Sequence, residues 1–354
     1  MWPVLLGLMA QPSLELITMS PGDPLYTRWG HAAIRVADPS QNLDLVYNFG
    51  SIDLGPNFWR DTLRGEVHAF VAVSRYAPTL AAYAQEERTI TRRVLRIPKS
   101  ATTSIAQTLA SLAGTRYVYH HLEDNCSTRA ADVLDQALGG ALSAKGARVL
   151  PETFRSVALT PLRDAPWLYV AVDIALAGVA DRPLTQWQAR FVPSELATWI
   201  DTLSSNNLPL VSFASDVHRG KNNDTTPWSW PWLTAYLLVG IPLLALGHKR
   251  PRVLLFLWAP LASLIGASVL VLWLGSRYDF LQANANVLVF PPTHAFLLFW
   301  PKRGYFWAHA ILLSILTVLY AANIVAQNIL PMIGWSLPLS LLLAWKLDGR
   351  PASS

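Results

Sequence analysis

The stretch DNCSTRAADVLDQALGG, residues 124–140, holds the only cysteine of the chain. It predicts a helix from Cys126 to Leu138 that ends at a pair of glycines. Asp124 or Asn125 is suited to cap the first turn, where unpaired amides and the helix dipole favour an anion. We therefore expect a lowered thiol pKa and a nucleophilic Cys126. The alternative is a cysteine that serves as a small buried apolar residue.

Alternating apolar residues upstream of this helix predict short strands. The segments are LELITM, HAAIRV, LDLVYNF, AFVAV and RRVLRI, with turn residues around Pro21 and Pro39. ATTSIAQTLASLAG and, later in the chain, PSELATWIDTL have the pattern of helices. The sequence thus predicts an α+β domain, in which helices pack against an antiparallel sheet.

The chain after Trp228 has the composition of a membrane domain. Five apolar segments approach the length that a helix needs to cross a bilayer, at about 230–246, 253–274, 285–300, 306–325 and 329–345. The predicted organisation is a signal-like or apolar N-terminal segment (1–12), an exported domain (13–227) and an all-α transmembrane domain of about five spans (228–354).

Cationic residues predict the orientation of these spans. Lys and Arg follow the first, third and fifth segments, all on one side of a five-span arrangement; they are Lys249, Arg250, Arg252, Lys302, Arg303, Lys346 and Arg350. The opposite side carries Arg277 alone. Because short cytoplasmic loops retain Lys and Arg, residues 1–227 are predicted to lie outside the cytoplasm.

The third apolar segment contains polar and helix-breaking residues. In NANVLVFPPTHAF, Pro291 and Pro292 interrupt helix hydrogen bonds, and His294 follows them. Such a segment either lines a cavity or is a kinked or re-entrant helix whose histidine bonds to a neighbouring carbonyl.

Composition also excludes some classes of function. The net charge is +5, but the cations form no basic stripe with interleaved aromatics, so we expect no nucleic-acid binding. A single cysteine excludes an intrachain disulfide framework and a Cys-rich metal site. We expect neither a metal nor a cofactor.

A cysteine nucleophile needs a base, and His31 is the preferred candidate. It opens a predicted strand in RWGHAAIRV, directly after Gly30. His120 and His121 lie too near Cys126 along the chain to approach it easily from a separate element, and His248 follows a predicted span on the cytoplasmic side.

Three stretches carry a family resemblance: SPGDPLYTRWGHAAIRV, VYNFGSIDLGPNFWRDTLRGEVHAF and YVYHHLEDNCSTR. They resemble the exported N-terminal domain of the Lnb-type lipoprotein N-acyltransferases, and the multi-span tail with NANVLVFPP is similar to the rest of that family. The resemblance implies a circularly permuted papain-like domain, in which the histidine strand precedes the cysteine helix.

The resemblance implies catalytic roles for Cys126 and His31, with Asn48 as the residue that orients the imidazole and Asp53 as the second choice. Amides near Asn125 and Ser127 at the helix start are candidates to bind the oxyanion. Two further cations, Arg129 and Arg35, are candidates either for substrate phosphate or for structural pairing.

The implied reaction is an acyl transfer. A phospholipid donates an acyl chain to Cys126 as a thioester, and the α-amine of a diacylated lipoprotein accepts it. The implied location is the bacterial inner membrane, with the catalytic domain in the periplasm. Two other classes remain open: a membrane-anchored cysteine hydrolase that cuts peptide or amide bonds, and a non-catalytic scaffold or transporter with a structural cysteine.

Overall fold

The computed structural model describes residues 12–205, 207–220 and 230–347. The predicted N-terminal segment, apart from Pro12, and the cation Arg350 lie outside the described residues. The chain divides into two compact units. We call Met1–Pro161 with Pro183–Thr226 the sheet unit, and Leu162–Arg182 with Pro227–Ser354 the helical unit. The sequence predicts a single boundary near residue 227. The helical unit also includes the earlier segment 162–182.

The sheet unit is built on a seven-stranded antiparallel sheet in the order β11-β5-β1-β2-β3-β4-β6. Its strands, with two further two-stranded pairs (β7 with β8, β9 with β10), are β1 (Ser13–Met19), β2 (His31–Asp38), β3 (Leu43–Ile52), β4 (His68–Arg75), β5 (Ile90–Leu95), β6 (Arg116–Val118), β7 (Val149–Thr153), β8 (Pro183–Thr185), β9 (Ser204–Ser205), β10 (Leu208–Pro209) and β11 (Val211–His218). The α+β class and the antiparallel sheet are confirmed.

Helices cover both faces of this sheet. Up to residue 202 the α-helices are α1 (Phe58–Arg64), α2 (Tyr76–Gln85), α3 (Lys99–Leu112), α4 (Cys126–Ala137), α5 (Ala141–Lys145), α6 (Phe154–Leu159), α7 (Pro166–Ala175), α8 (Gln186–Ala189) and α9 (Pro193–Thr202), of which α7 belongs to the helical unit. Short 3-10 helices lie at Leu25–Thr27, Pro39–Gln41, Thr160–Leu162, Gly178–Asp181, Asp279–Leu281 and Pro292–Leu298.

Side-chain alternation along β2 divides the core into two layers. Ala32, Ile34 and Val36 join the cluster that contains Cys126 and other buried residues of α4, α3 and α9. Ala33 joins a smaller cluster on the opposite face, against which Tyr76, Leu80 and Tyr83 of α2 pack. Because successive side chains of a strand point to opposite faces, β2 supports the cysteine helix on one face and α2 on the other.

Among its described residues, the helical unit contains three helices long and apolar enough to cross a membrane: α10 (Pro231–Lys249), α11 (Pro251–Gly275) and α13 (Arg303–Ala321). A π-helical turn at Tyr236–Gly240 lies within α10. The last helix, α14 (Leu330–Lys346), has 17 residues and is shorter than these. Five helical spans are therefore not confirmed.

The third apolar segment does not form a helix of spanning length. It contains α12 (Asn286–Val289), which ends before the prolines, and then the 3-10 helix Pro292–Leu298. Proline lacks an amide hydrogen and restricts the residue before it, which accounts for the break. The interpretation in which a carbonyl binds His294 is not what the structure shows, since His294 Nδ1 lies 3.0 Å from the Tyr305 hydroxyl.

A cluster of buried amides joins distant parts of the helical unit. Asn284 and Asn286 donate to the carbonyl of Ile174, and Gln327 donates to the carbonyl of Leu176 and to the side chain of Asn284. Each buried carbonyl at the end of α7 thus has a donor that its own helix does not supply. The polar residues of NANVLVFPP, Asn284 and Asn286, thus connect the end of α7 to the rest of the helical unit.

The non-helical segment packs against α11 through a glycine. A Cβ at Gly266 would lie 1.6 Å from the carbonyl oxygen of Phe290, whereas a Cβ at Gly275 of the same helix would meet nothing within 4 Å. The backbone of the third segment therefore needs a residue without a side chain at position 266.

Replacing Gly266 by alanine should destabilise the helical unit by about 1–3 kcal/mol or more, because the segment at Phe290 has to move away from α11. Thermal unfolding in detergent, followed by loss of helical circular dichroism, measures the change. Gly275→Ala is the matched control and should leave the unfolding temperature near that of the parent protein. Equal effects of the two changes would contradict the proposed close packing.

Candidate active site

Cys126 is the first residue of α4, and the helix start is fixed by a reciprocal cap. The Asn125 side-chain oxygen accepts from the backbone amides of Ser127 (2.8 Å) and Thr128 (3.0 Å). In return the Thr128 hydroxyl accepts from the Asn125 amide at 2.8 Å. This capping box satisfies amides that a helix start leaves unpaired. Asn125, rather than Asp124, is the cap.

The side-chain amide of Asn125 is committed as well. Its Nδ2 donates to the carbonyls of His121 (2.7 Å) and Phe191 (2.8 Å), and the residue is buried. Ser127 is fully buried, and its amide bonds to the cap. The Asn125 side chain is therefore fully engaged in holding the start of α4, next to Cys126, whereas the Ser127 hydroxyl is buried without a hydrogen-bond partner among the described residues.

His31 is the first residue of β2 and is held by Asn48 of β3. The His31 Nε2 lies 3.3 Å from Asn48 Oδ1, and Asn48 Nδ2 donates to the Ser74 hydroxyl at 3.5 Å. An amide oxygen at Nε2 favours the tautomer that carries the proton there, which leaves Nδ1 as the basic nitrogen. This is the arrangement expected of an orienting residue in a Cys-His-Asn site.

Three neighbours place the thiol and the imidazole in one region. The backbone amide of Ala32, the residue after His31, donates to the Cys126 sulfur. The ring of Tyr83 stacks on His31 with centroids 5.9 Å apart, and its ionisation responds to Cys126. The charge of Arg88 acts on both His31 and Cys126. The structure therefore brings together the two residues that the sequence selects from separate elements.

Burial makes the neutral form of both groups the stable one. The pKa of His31 is lowered to about 4, first by desolvation and then by the charge of Arg88, while the Asn48 hydrogen bond opposes both effects. Desolvation raises the pKa of the Cys126 thiol above its ordinary value, although nearby amides and Arg88 favour the thiolate. The expectation of a lowered thiol pKa is therefore wrong, because burial outweighs the helix terminus.

Gly50 lies directly against Cys126. Its φ is +73°, and a Cβ there would lie 3.0 Å from a Tyr119 ring carbon and 3.5 Å from both the amide nitrogen and the Cβ of Cys126. The absence of a side chain leaves space beside the Cys126 amide. Because the Ser127 and Thr128 amides are taken by the cap, the Cys126 amide is the candidate oxyanion donor at this helix start.

The other candidates from the sequence have ionic partners. Arg35 bonds to Glu15 at 2.9 Å and to Asp44 at 2.7 Å, and it packs on the Tyr76 ring. Arg35 is therefore ion-paired within the sheet unit, and its two carboxylate partners are both side chains of the protein.

Arg129 and Asp53 also form ion pairs. Arg129 bonds to Asp124 at 2.8 Å and lies 3.5 Å from the Tyr117 ring centroid. Asp53 pairs with Arg116 at 3.2 Å, and its side chain is 67% exposed. The structure thus places Asn48, and not Asp53, at the His31 ring.

Sequence reasoning missed the contributions of Gly50, Tyr83 and Arg88. The motif NFG contains Gly50, and a glycine after a strand core is a signal that backbone must approach closely. Tyr83 and Arg88 had no comparable signal, because they lie on α2 and before β5 and reach His31 only after the sheet has formed.

The chain combines an α+β unit, which carries a buried thiol and a partly buried imidazole, with helices that are long and apolar enough to cross a membrane. Residues 9–160 match the family model of the Lnb N-terminal periplasmic domain. The match covers β1 to β7 and includes Cys126, His31 and Asn48. It supports a Lnb-type protein with a periplasmic N-terminal domain. Comparison with curated proteins and with solved structures gave no significant match.

Alkylation of Cys126 should depend on pH as expected for a neutral thiol. Since burial raises the thiol pKa, the iodoacetamide rate should be low at pH 7 and still rising above pH 9. His31, with a pKa of about 4, stays neutral throughout the range from pH 5 to 10. Mass spectrometry of the intact protein measures the rate. A rate that is constant between pH 5 and 8 would instead indicate a thiolate–imidazolium pair.

Replacing Gly50 by alanine should slow alkylation of Cys126 by about tenfold or more, because the new methyl group occupies the space beside the nucleophile. Gly114→Ala is the matched control: its φ is also +73°, but its Cβ would meet nothing within 4 Å. Both changes should cost about 1 kcal/mol through backbone strain. A slower reaction in both variants would show that strain, and not crowding at Cys126, is responsible.

Proposed function

We propose that the protein is a cysteine-dependent lipoprotein N-acyltransferase. It moves an acyl chain from a phospholipid, through a thioester on Cys126, to the α-amine of a diacylglyceryl-cysteine lipoprotein. The observation that carries this proposal is the placement of Cys126 at a capped helix start, in one region with a neutral His31 that bonds to Asn48. The match to a periplasmic Lnb domain supports the same class of protein.

The first half-reaction forms the thioester. His31 Nδ1 accepts the thiol proton as the sulfur attacks the carbonyl carbon of the donor ester. The tetrahedral oxyanion is stabilised by the Cys126 amide beside Gly50. The C–O bond of the ester then breaks, and the departing lysophospholipid oxygen takes the proton from His31. A neutral imidazole suits this sequence, because it has an acceptor site free at the start.

The second half-reaction regenerates the thiol. The lipoprotein amine attacks the thioester carbon, His31 takes a proton from the nitrogen, and the C–S bond breaks. The sulfur leaves with the proton that His31 returns, and the product contains an amide. Transfer and hydrolysis share the first half-reaction, so the outcome depends on whether the amine or water reaches the thioester.

An exposed apolar surface of the sheet unit supports a lipid substrate. Tyr26, Phe58 and Trp59 are in ring contact, with centroids 6.3 Å apart for Tyr26–Phe58 and 5.0 Å for Phe58–Trp59. Leu54, in the turn before α1, is 60% exposed, and Leu63, on α1, is 55% exposed. The segment with Tyr26 leads into His31, and α1 follows the strand with Asn48. Exposed clusters of this kind are typical of lipid or partner binding.

The chain order supports the permuted papain-like fold as part of this proposal. The strand that carries His31 precedes the helix that carries Cys126, and the orienting Asn48 lies on the strand next to His31. The inner membrane is the proposed location, because it gives an exported domain access to phospholipid donors.

We also propose that the third apolar segment crosses the bilayer without a continuous helix. Asn284 at its start bonds to the end of α7, and His294 further on bonds to Tyr305 near the start of α13. The cations Lys302 and Arg303 follow the segment. Within a bilayer, hydrocarbon offers no hydrogen-bond partners, and these buried polar contacts supply some of the partners that the segment needs. With α14, this gives the five crossings that the charge pattern favours.

Incubation of the purified protein with phospholipid alone should produce a fatty-acyl adduct on Cys126, detected by intact-mass spectrometry. Addition of a diacylated lipopeptide with a free α-amine should remove the adduct and yield a triacylated peptide. Cys126→Ala and Cys126→Ser should lose this activity, and His31→Ala should reduce thioester formation by about 10²-fold or more.

His121→Ala is the matched control and should retain activity, since its side chain makes an edge contact with Tyr119 and is not the proposed base. An adduct that water removes equally well without the lipopeptide would favour the hydrolase. Absence of an adduct, with a thiol that still reacts with iodoacetamide, would contradict the acyl transfer.

A further inference from the structure

Arg88 is a buried cation whose charge is incompletely paired. It is 3% exposed, Nε donates to the carbonyl of Ser20 at 2.8 Å, and Nη1 lies 3.3 Å from the carboxylate of Glu86. Among the described residues, Nη2 is buried without a hydrogen-bond partner. Glu86 is itself 52% exposed, so water weakens the one ionic contact.

Other arginines of the sheet unit are paired more completely. Arg35 bonds to two carboxylates, those of Glu15 and Asp44. Arg93 forms a two-pronged contact with Asp201, with distances of 2.9 and 3.0 Å. Burying a cation without full compensation is costly, and an apolar residue of similar size would avoid the cost. The position of Arg88 therefore calls for an explanation other than stability.

Contacts connect Arg88 to the imidazole. The guanidinium lies 5.1 Å from the centroid of the Tyr83 ring. Tyr83 also contacts His31, whose ring lies 5.9 Å away at an angle of 19°. Tyr83 thus connects Arg88 to His31, and the Nε2 of His31 lies 3.3 Å from Asn48 Oδ1. A cation on an aromatic ring is attracted by its electron density, which holds Arg88 against Tyr83.

We propose that Arg88 is a positioning residue of the active site, which orients His31 through Tyr83 and supplies an incompletely compensated positive charge to the anion that forms at Cys126. The inference deepens the proposed acyl transfer and rests on it for its biological meaning. The same electrostatic role applies to any reaction in which Cys126 becomes negatively charged.

The charge of Arg88 favours the states that the reaction needs. It lowers the pKa of the Cys126 thiol against the effect of burial, and it lowers the pKa of His31, so the imidazole does not retain the proton. Burial raises the pKa of Tyr83 to about 12, so its hydroxyl remains neutral beside Arg88.

The remaining groups at the site do not replace this charge. Toward His31 they are Tyr83 from α2, Asn48 from β3 and Cys126 from α4. Tyr117 of β6 faces Cys126, and burial raises its pKa. Arg129, which packs on Tyr117, is neutralised by Asp124.

The test compares two alkylating reagents on Cys126. Iodoacetate is an anion and iodoacetamide is neutral, and both react with the same thiolate. The ratio of their rates therefore cancels the thiolate fraction and reports the local charge. Because the chain has one cysteine, a single adduct mass gives each rate. The full-length protein in detergent is used, and no acyl donor is needed.

Arg88→Met should lower the iodoacetate to iodoacetamide ratio by about fivefold or more, since a unit charge near the sulfur is removed. Arg88→Lys keeps the charge and should stay near the parent ratio. A purely structural role would slow both reagents together and leave the ratio unchanged. An unchanged ratio in folded Arg88→Met protein, judged by its unfolding temperature, would overturn the proposal.

Glu86→Gln provides a second test that does not disturb the core, because Glu86 is half exposed. Removing this carboxylate should raise the ratio, in the direction opposite to Arg88→Met. Glu152→Gln, an exposed carboxylate on β7, is the control and should have no effect. An unchanged ratio in Glu86→Gln overturns the proposal if Arg88→Met does not fold. If the ratios behave as expected but no acyl adduct forms, the proposed function fails and the role of Arg88 stands.

Discussion

The structure of the site depends on one buried amide, the side chain of Asn125. Its oxygen caps the first turn of α4, and its nitrogen donates to the carbonyls of His121 and Phe191. The same group therefore determines where the helix begins and where two other segments lie relative to it. Removing a partner from such a network leaves several buried groups unsatisfied at once. Cys126 keeps its position relative to β2 because the hydrogen bonds of Asn125, the residue before it, fix the start of the helix.

A second constraint is the low polarity around the reacting groups. The thiol and the imidazole are both neutral, the cap engages two of the helix amides, and the charge of Arg88, which Glu86 compensates only in part, acts on both groups. In such surroundings a single charge acts more strongly than it does in water. The thiol and the imidazole of the sheet unit therefore carry no charge at rest, and in the proposed reaction charge forms only as the sulfur attacks.

Local patterns in the sequence predicted much of the fold. The strands with His31 and Asn48 follow from alternation, and the start of α4 follows from the cap at Asn125. The direction of the thiol pKa was not predictable, because the helix terminus is a local feature and burial depends on tertiary packing. The contacts of Tyr83 with Arg88 and His31 join segments that are distant in the chain, and no motif marks them. The grouping of residues 162–182 with the C-terminal helices also depends on distant partners.

The amide of Gln327 has a consequence for how the chain matures. It binds the carbonyl of Leu176, which precedes it by 151 residues. During synthesis, the segment around α7 leaves the ribosome long before the loop that secures it. Residues 183–220, which complete the sheet unit, also emerge in that interval. Contacts between residues so far apart form late, because closing a long loop is entropically unfavourable. The sheet of the N-terminal domain is thus able to form first. Residues 162–182, which lie between two parts of that domain in the chain, bind the last helices afterwards.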